Sequence, residues 1–298
     1  VAKQIPTNAA PAVPPTWLPA ARIVTVPGRG EVFCRVHQRP DGGPVLLLLH
    51  GWTASADVQF ATIYQALMAR HSFVAVDHRG HGRGIRSHEP FNLEDAADDA
   101  AGVIRALDCA PVIVVGYSMG GPLALHVADR HPDIVRGVVL EATALSFATT
   151  RVERLLWRFL SAMETTMRSR LGSRYARRRL EQFAAAADSD INSLVPWLSA
   201  EMARGNPRAL TEAGRALRHF DGEPIAARLS LPAAVVLTTR DRSVRPKLQR
   251  RMAEALDAVV VDFDGGHFSN LLRAEAFAAA TLAAVDAVVG AITSAELH

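Results

Sequence analysis

The stretch Val112-Ile113-Val114-Val115-Gly116-Tyr117-Ser118-Met119-Gly120-Gly121 decides how the rest of the chain is read. Four β-branched residues run into a glycine, the chain turns within two residues, and an apolar stretch from Gly121 to Ala128 follows. An aliphatic run with no polar side is a strand buried on both faces. Gly-x-Ser-x-Gly between such a strand and a helix is a nucleophile elbow, a sharp turn that pushes a serine hydroxyl out at the end of a sheet. Gly116 and Gly120 leave room for a bend that side chains there would block. The helix expected from about Ser118 to Arg130 aims its free N–H groups at negative charge developing beside the serine. His131-Pro132 stops that helix. The pentapeptide pattern also occurs in ordinary loops, so the reading depends on what flanks it and on partners for the serine.

Outward from this point, strands and helices alternate. Arg22–Val26 and Val32–His37 read as two strands joined by Pro27-Gly28-Arg29-Gly30, and Val45–Leu49 as an aliphatic strand ending in His50-Gly51-Trp52. Phe60, Ile63, Tyr64 and Leu67 at helical spacing place a helix over residues 58–69. Ser72–Val76 leads into the glycine-rich loop Asp77–Gly84. Helix signals return over Leu93–Leu107, and Val135–Leu140 follows the elbow helix as the next strand. Val235–Thr239 and Ala258–Phe263 flank a helix at 247–256, and an alanine-rich helix from Arg273 to Ile292 closes the pattern. This alternation predicts an α/β fold with a mostly parallel, doubly wound, eight-stranded sheet covered on both faces.

Residues 142–228 break the rhythm. They contain helical patterns and no convincing strand: Val152 to Tyr175, Ile191 to Met202, and Leu210 to Phe220. A helical insertion after a strand, at the end of the sheet where ligands bind, reads as a cap over the active site. The domain expectation is a proline-rich arm over 1–21, a core over 22–141 and 229–298, and a cap over 142–228.

Composition sets outer limits. With 298 residues and 49% apolar content, the chain buries a large core. Two cysteines, Cys34 and Cys109, make no disulfide framework. Val1 to Ala21 lacks the charged start and continuous apolar segment of a signal peptide, and no apolar run is expected to span a membrane, so the expected address is cytoplasmic.

A serine hydroxyl needs a base, and that base needs an orienting acid. Asp241 lies just past the strand ending at Thr239, and His267 lies beyond the last strand in Asp264-Gly265-Gly266-His267-Phe268, which gives the chain order serine, acid, histidine. Asp262 and Asp264 are the alternative acids, and Arg240 and Arg242 leave open a merely salt-bridged turn at Asp241. His50 competes with His267 by location, although holding the neighbouring loop is its expected work. The negative oxygen of a tetrahedral intermediate needs two donors. The backbone N–H groups of Met119 and Trp52 are expected to supply this oxyanion hole. Trp52, Tyr117, Trp157, Phe159, Met163 and Phe268 are the expected pocket residues.

Taken together, His50-Gly51-Trp52, Asp77-His78-Arg79-Gly80-His81-Gly82, Gly116–Gly121, Asp241 and Gly266-His267 resemble the α/β-hydrolase family, over roughly residues 22–142 and 229–292. Within it the chain resembles the capped esterase, thioesterase and carbon–carbon-bond hydrolase group, and the cofactor-free haloperoxidase-like members. The resemblance implies the triad Ser118, Asp241 and His267, with no cofactor and no metal. Two departures stand out: Gly82-Arg83-Gly84, where members often carry a serine after the histidine–glycine pair, and Thr239-Arg240-Asp241, which lacks the glycine common before the acid. Members acting on epoxides or haloalkanes use an aspartate nucleophile, so Ser118 points to acyl transfer to water.

Between Arg151 and Arg179 nine arginines face two glutamates, a net charge of +7 against +3 for the whole chain. Three readings of this basic segment stand: a helix solvated outside and packed inside, a guide for an anionic thioester or carboxylated ester, and a weak contact with an anionic membrane. No stacking aromatics or recognition motif accompany the charge, so nucleic acid is not an expected partner. Three functions remain: a serine carboxylic-ester hydrolase, a thioesterase or carbon–carbon-bond hydrolase with the same triad, and a non-catalytic binding protein on the same fold.

Overall fold

A computed structural model describes residues 13–40, 42–147, 178, 181–182, 185–187 and 191–296. Eight strands form one sheet: β1 (Ala20–Val26), β2 (Gly30–His37), β3 (Val45–Leu49), β4 (Ser72–Val76), β5 (Val112–Tyr117), β6 (Val135–Glu141), β7 (Ala233–Thr238) and β8 (Val259–Phe263). Their order is β1-β2-β4-β3-β5-β6-β7-β8. β2 runs antiparallel to β1 and β4, and every other pairing is parallel. The strand count and the mostly parallel sense agree with the expected fold.

The side-chain alternation of a strand explains why β3 and β5 are aliphatic throughout. Leu47, Leu49, Val112 and Val114 enter one apolar cluster, while Leu46, Leu48, Ile113 and Val115 enter the other. The first is covered by α3 (Leu93–Ala106) and α4 (Gly120–Arg130), the second by α1 (Ala56–Phe60), α2 (Tyr64–Met68) and the last helix. Each such aliphatic side chain contributes roughly 1.5–3 kcal/mol on burial, so two full layers fix the central strands firmly.

Several boundaries differ from the sequence reading. The helix placed over 58–69 is two short helices, although Phe60, Ile63, Tyr64 and Leu67 are all buried. The break lies at 61–63, where the Thr62 hydroxyl donates to the Asn270 carbonyl at 2.6 Å. The elbow helix begins at Gly120 rather than Ser118, because Ser118 has a φ of +51° and cannot open a right-handed helix. The N-terminal arm is anchored before residue 22: Trp17 and Leu18 pack on the second cluster, and Arg35 donates to the Pro19 carbonyl at 3.1 Å.

Between β6 and β7 the described residues are helical: α5 (Val195–Met202), α6 (Pro207–His219) and α7 (Glu223–Ala226). Asn206 caps α6, its side chain accepting from the N–H groups of Arg208 and Ala209. The arginine-rich run, with Trp157, Phe159 and Met163, lies outside the described residues except for Arg178, so the membrane-contact reading does too. After β7 come α8 (Pro246–Ala255), α9 (Ser269–Leu272) and α10 (Ala274–Glu296). Contrary to the expectation of no apolar run of spanning length, α10 is long and apolar enough to cross a membrane by length and composition. Its Phe277, Ala278, Ala284, Val285 and Val288 belong to the second core cluster, and its Asp286 pairs with Arg70 at 3.0 Å, as in a helix that covers a sheet.

Glu141, at the end of β6, is fully buried; its Oε1 accepts from the Thr281 hydroxyl at 2.6 Å, and its Oε2 has no partner among the described residues. Burial raises this carboxyl to about 7. The unfolded chain releases that proton near the ordinary glutamate value while the folded chain keeps it, so stability falls as pH rises through that interval and the loss is complete above about 7. Glu141→Gln should therefore gain stability relative to the parent between pH 5 and 8, measured as urea midpoints across that range; a pH-independent difference would refute the assignment.

Candidate active site

The site gathers at the carboxyl ends of β3, β5, β7 and β8, where a doubly wound sheet presents its loops. At the end of β5 the chain reverses through Ser118, whose left-handed backbone costs a non-glycine residue about 1–3 kcal/mol. Neighbouring groups hold it there. Its N–H donates to the Glu141 carbonyl at 2.9 Å, and its carbonyl accepts from Gly121 N–H at 2.9 Å and from the Thr143 hydroxyl at 2.7 Å. Both flanking glycines are sterically required. A Cβ on Gly116 would lie 2.3 Å from the Gly120 carbonyl oxygen, and one on Gly120 would lie 2.0 Å from that of Leu49.

His267 reaches this serine from the loop after β8. Its Nε2 is 3.1 Å from Ser118 Oγ, and its Nδ1 is 2.8 Å from Asp241 Oδ2. A carboxylate accepts, so Nδ1 carries the proton and Nε2 presents a lone pair to the serine hydroxyl. Asp241, buried past the end of β7, is itself saturated: Oδ1 accepts from the N–H groups of Ser243 at 2.7 Å and Val244 at 2.9 Å, and Oδ2 also accepts from the Thr238 hydroxyl at 3.0 Å. The alternative acids point elsewhere, Asp264 pairing with Arg240 at 2.6 Å and Asp262 with Arg250 at 3.4 Å, both in exposed positions.

Sequence reasoning missed the groups behind this chain. Gln249, fully buried on α8, donates through Nε2 to the Thr238 hydroxyl at 2.9 Å and to the Val244 carbonyl at 2.7 Å. That leaves the Thr238 proton for Asp241. The available signal was a glutamine on the inward face of an otherwise amphipathic helix. Tyr117 was expected to line the pocket. It is instead buried beneath the histidine, its hydroxyl donating to the His267 carbonyl and its ring packed against Phe277. The reason is the strand period, which turns Tyr117 to the same side as Val115, into the second cluster. Phe268 is 45% exposed and meets the His267 ring edge-on.

Opposite the histidine lies the turn after β3. The Met119 backbone N–H has no acceptor among the described residues and sits at the amino end of α4, while the Met119 side chain is core rather than pocket. Gly51 lies beside the serine: a Cβ there would meet Ser118 Cβ at an ordinary contact distance of 3.4 Å and Gln59 Oε1 more tightly, at 3.2 Å. Gly51 N–H donates to Gln59 Oε1 at 3.3 Å, and Asn270, three residues past the histidine, donates to the Gln59 carbonyl at 2.9 Å. Trp52 is half-buried, and its indole N–H donates to the Leu210 carbonyl on α6 at 2.7 Å.

His50 works locally, as its position suggested. Its Nε2 accepts from His78 N–H at 3.1 Å, so its Nδ1 donates to the Gly51 carbonyl at 2.8 Å. Burial pushes His50 well below its ordinary value, His78 to about 3 and His81 to about 4, so all three stay neutral. Asp77 closes the glycine-rich loop by accepting from Ala56 and Arg83 N–H groups, both at 2.7 Å, and burial raises it to about 6.

A serine in a left-handed turn at the head of a parallel sheet, facing a carboxylate-bound histidine, is the architecture of a serine-hydrolase centre. The sequence model for the alpha/beta hydrolase fold matches residues 44–274, and the chain belongs to that family. A pimeloyl-[acyl-carrier protein] methyl ester esterase from Neisseria meningitidis is 31% identical over 245 residues, 80% of this chain and 93% of that protein. A protein of the same name from Chromobacterium violaceum is 31% identical over 78% of this chain and 90% of its own. The 2-(acetamidomethylene)succinate hydrolase of Mesorhizobium japonicum is 35% identical over 41% of this chain and 46% of its own length. Among solved structures, the enol-lactonase of Burkholderia xenovorans superposes with a TM-score of 0.73 at 23% identity, over 90% of this chain and all of that one, a likeness of fold.

Gly120→Ala forces its methyl group into the Leu49 carbonyl. It should cost about 1–3 kcal/mol of stability, as overpacking does. A chemical-denaturation midpoint equal to the parent's would show that the elbow has slack it is not expected to have.

Proposed function

We propose that the protein is a serine carboxylic-ester hydrolase working through an acyl-enzyme, with Ser118 as nucleophile, His267 as general base and acid, and Asp241 as its orienting carboxylate. The observation that carries this reading is the unbroken chain from Asp241 Oδ2 through His267 to Ser118 Oγ, at 2.8 and 3.1 Å. Similarity to two methyl ester esterases, over 80% and 78% of this chain and 93% and 90% of theirs, supports it.

In this mechanism Ser118 Oγ attacks the ester carbonyl carbon while His267 Nε2 takes its proton. The carbonyl oxygen, now negative, is held by the backbone N–H groups of Met119 and Trp52. Collapse breaks the bond to the alcohol, which leaves with the proton from His267. Water then attacks the acyl-enzyme, giving its proton to His267, and the second collapse returns that proton to Ser118 and frees the acid. Asp241 stays ionised throughout and stabilises the imidazolium.

The segment 142–228 is read as a cap that shapes the substrate site. The Neisseria and Chromobacterium relatives are, by name, esterases of a pimeloyl-[acyl-carrier protein] methyl ester. A related substrate here, a small alkyl ester on a partly apolar acyl chain with an anionic far end, suits the arginine-rich run between 151 and 179. The Mesorhizobium relative acts on a small dicarboxylate and favours, as a second reading, hydrolysis of a compact dianion by the same triad.

Turnover of p-nitrophenyl esters of rising acyl length should fall at least about 10⁴-fold in Ser118→Ala, the scale of losing a serine nucleophile. Undiminished turnover in that variant would sink the mechanism. Replacing Arg174, Arg177, Arg178 and Arg179 with glutamine should lower kcat/KM for an ester with a carboxylated acyl chain and spare its neutral analogue. Equal effects on both would remove charge steering from the account.

A further inference from the structure

The turn after β3 is strained. Thr53, directly after Trp52, has a φ of +66°, an unusual conformation for a β-branched residue. Such a turn keeps its shape only when its surroundings hold it. On the core side the holders are His50 and Gln59, both bonded to Gly51, and Ser55, whose hydroxyl caps α1. On the other side the indole of Trp52 crosses to the Leu210 carbonyl of α6, 158 residues away in sequence.

The helix at the far end of that bond is closely seated. Asn206 N–H, at its start, donates to the Gly80 carbonyl at 2.7 Å. Gly80 has no space for a side chain, since a Cβ would lie 2.1 Å from the Ala209 Cβ. Arg86 donates to the Arg204 carbonyl at 2.8 Å, and Phe91 N–H to Glu212 at 2.8 Å. Arg83 joins Glu201 of α5 to Asp57 of α1 in one ion-paired group. All of these core partners except Asp57 belong to the glycine-rich loop or its exit, and His78 of that loop is bonded to His50. The turn and α6 are thus referenced to one loop, and the indole closes the circuit.

We propose that Trp52 is a positioning residue: its indole bond to Leu210 makes the aim of its own backbone N–H depend on the seating of α6, so ester hydrolysis requires this helix in place. The proposal rests on the oxyanion role given to the Trp52 N–H above. It assigns the side chain a task separate from lining the acyl pocket, and it makes the inserted helices a support of the catalytic turn as well as a cover.

The two tasks predict different kinetics. Loss of a pocket wall falls on KM and grows with acyl length, whereas a misaimed oxyanion donor lowers kcat alike for every acyl chain. Trp52→Phe keeps the bulk of an aromatic ring and removes the N–H. With p-nitrophenyl acetate, butyrate and octanoate it should lose on the order of tenfold in kcat at each length, below the cost of deleting a donor outright, with KM within about twofold. Glu201→Gln loosens the seat while leaving Trp52 intact and should lower kcat in the same manner. The double variant should lose less than the product of the two single losses, since both act through one contact. An unchanged kcat in Trp52→Phe, a loss confined to KM, or fully multiplicative losses would each overturn the proposal. The parent protein decides the underlying esterase reading first: no turnover and no labelling of Ser118 by an alkyl phosphonate would overturn that reading, and this proposal with it. Parent turnover with any of the contrary results above would overturn the positioning role alone.

Discussion

The left-handed turn at Ser118 is the constraint on which the rest of the architecture depends. A serine there is unfavourable by itself, and the fold surrounds it with groups that leave no alternative. Two glycines remove the side chains that would collide, Glu141 and Thr143 from the adjoining strand and its exit take its backbone groups, and α4 continues directly from it. Those contacts need β5 to sit between β3 and β6 in register, which the two aliphatic layers ensure. The energy of the core is thus converted into the position of one hydroxyl oxygen.

The partners of that oxygen come from far apart in the chain but from equivalent places in the fold. Asp241 follows β7 and His267 follows β8, so parallel pairing of those strands brings the two loops side by side. Fixed dipoles then set the proton positions. Gln249 orients Thr238, Thr238 and two backbone N–H groups orient Asp241, and Asp241 fixes the tautomer of His267. Preorganisation of this kind avoids reorientation during reaction, which is where a low-dielectric site outperforms water.

Much of this was legible in the residues, and for physical reasons. Buried parallel strands are aliphatic throughout, a strained turn needs glycines at set positions, and a sheet places its functional residues just beyond strand ends. The boundaries that shifted did so where tertiary contacts overrule local pattern. Thr62 leaves the helix to bond Asn270, and Ser118 delays its helix by two residues because of its own φ. Tyr117, expected in the pocket, lies in the core because strand alternation carries it to the same side as Val115. Gln249, Gln59 and Asn270 were invisible for a different reason. A buried amide reveals itself only through its partners, and those partners are distant in sequence.

The neutral histidines beneath the turn after β3 have a consequence for how this protein would respond to acidity. His50, His78 and His81 lie within 3.9–6.2 Å of one another, centroid to centroid, and burial keeps each uncharged until well below neutrality. Ordinary imidazoles so placed would acquire mutually repelling charges near pH 6 and spread the loop they support. Here the three imidazoles stay uncharged through that range, so their own protonation does not spread the loop until the medium is well into acid. The cluster serves as uncharged packing, hydrogen-bonded between His50 and His78, rather than as a sensor of mild acidity.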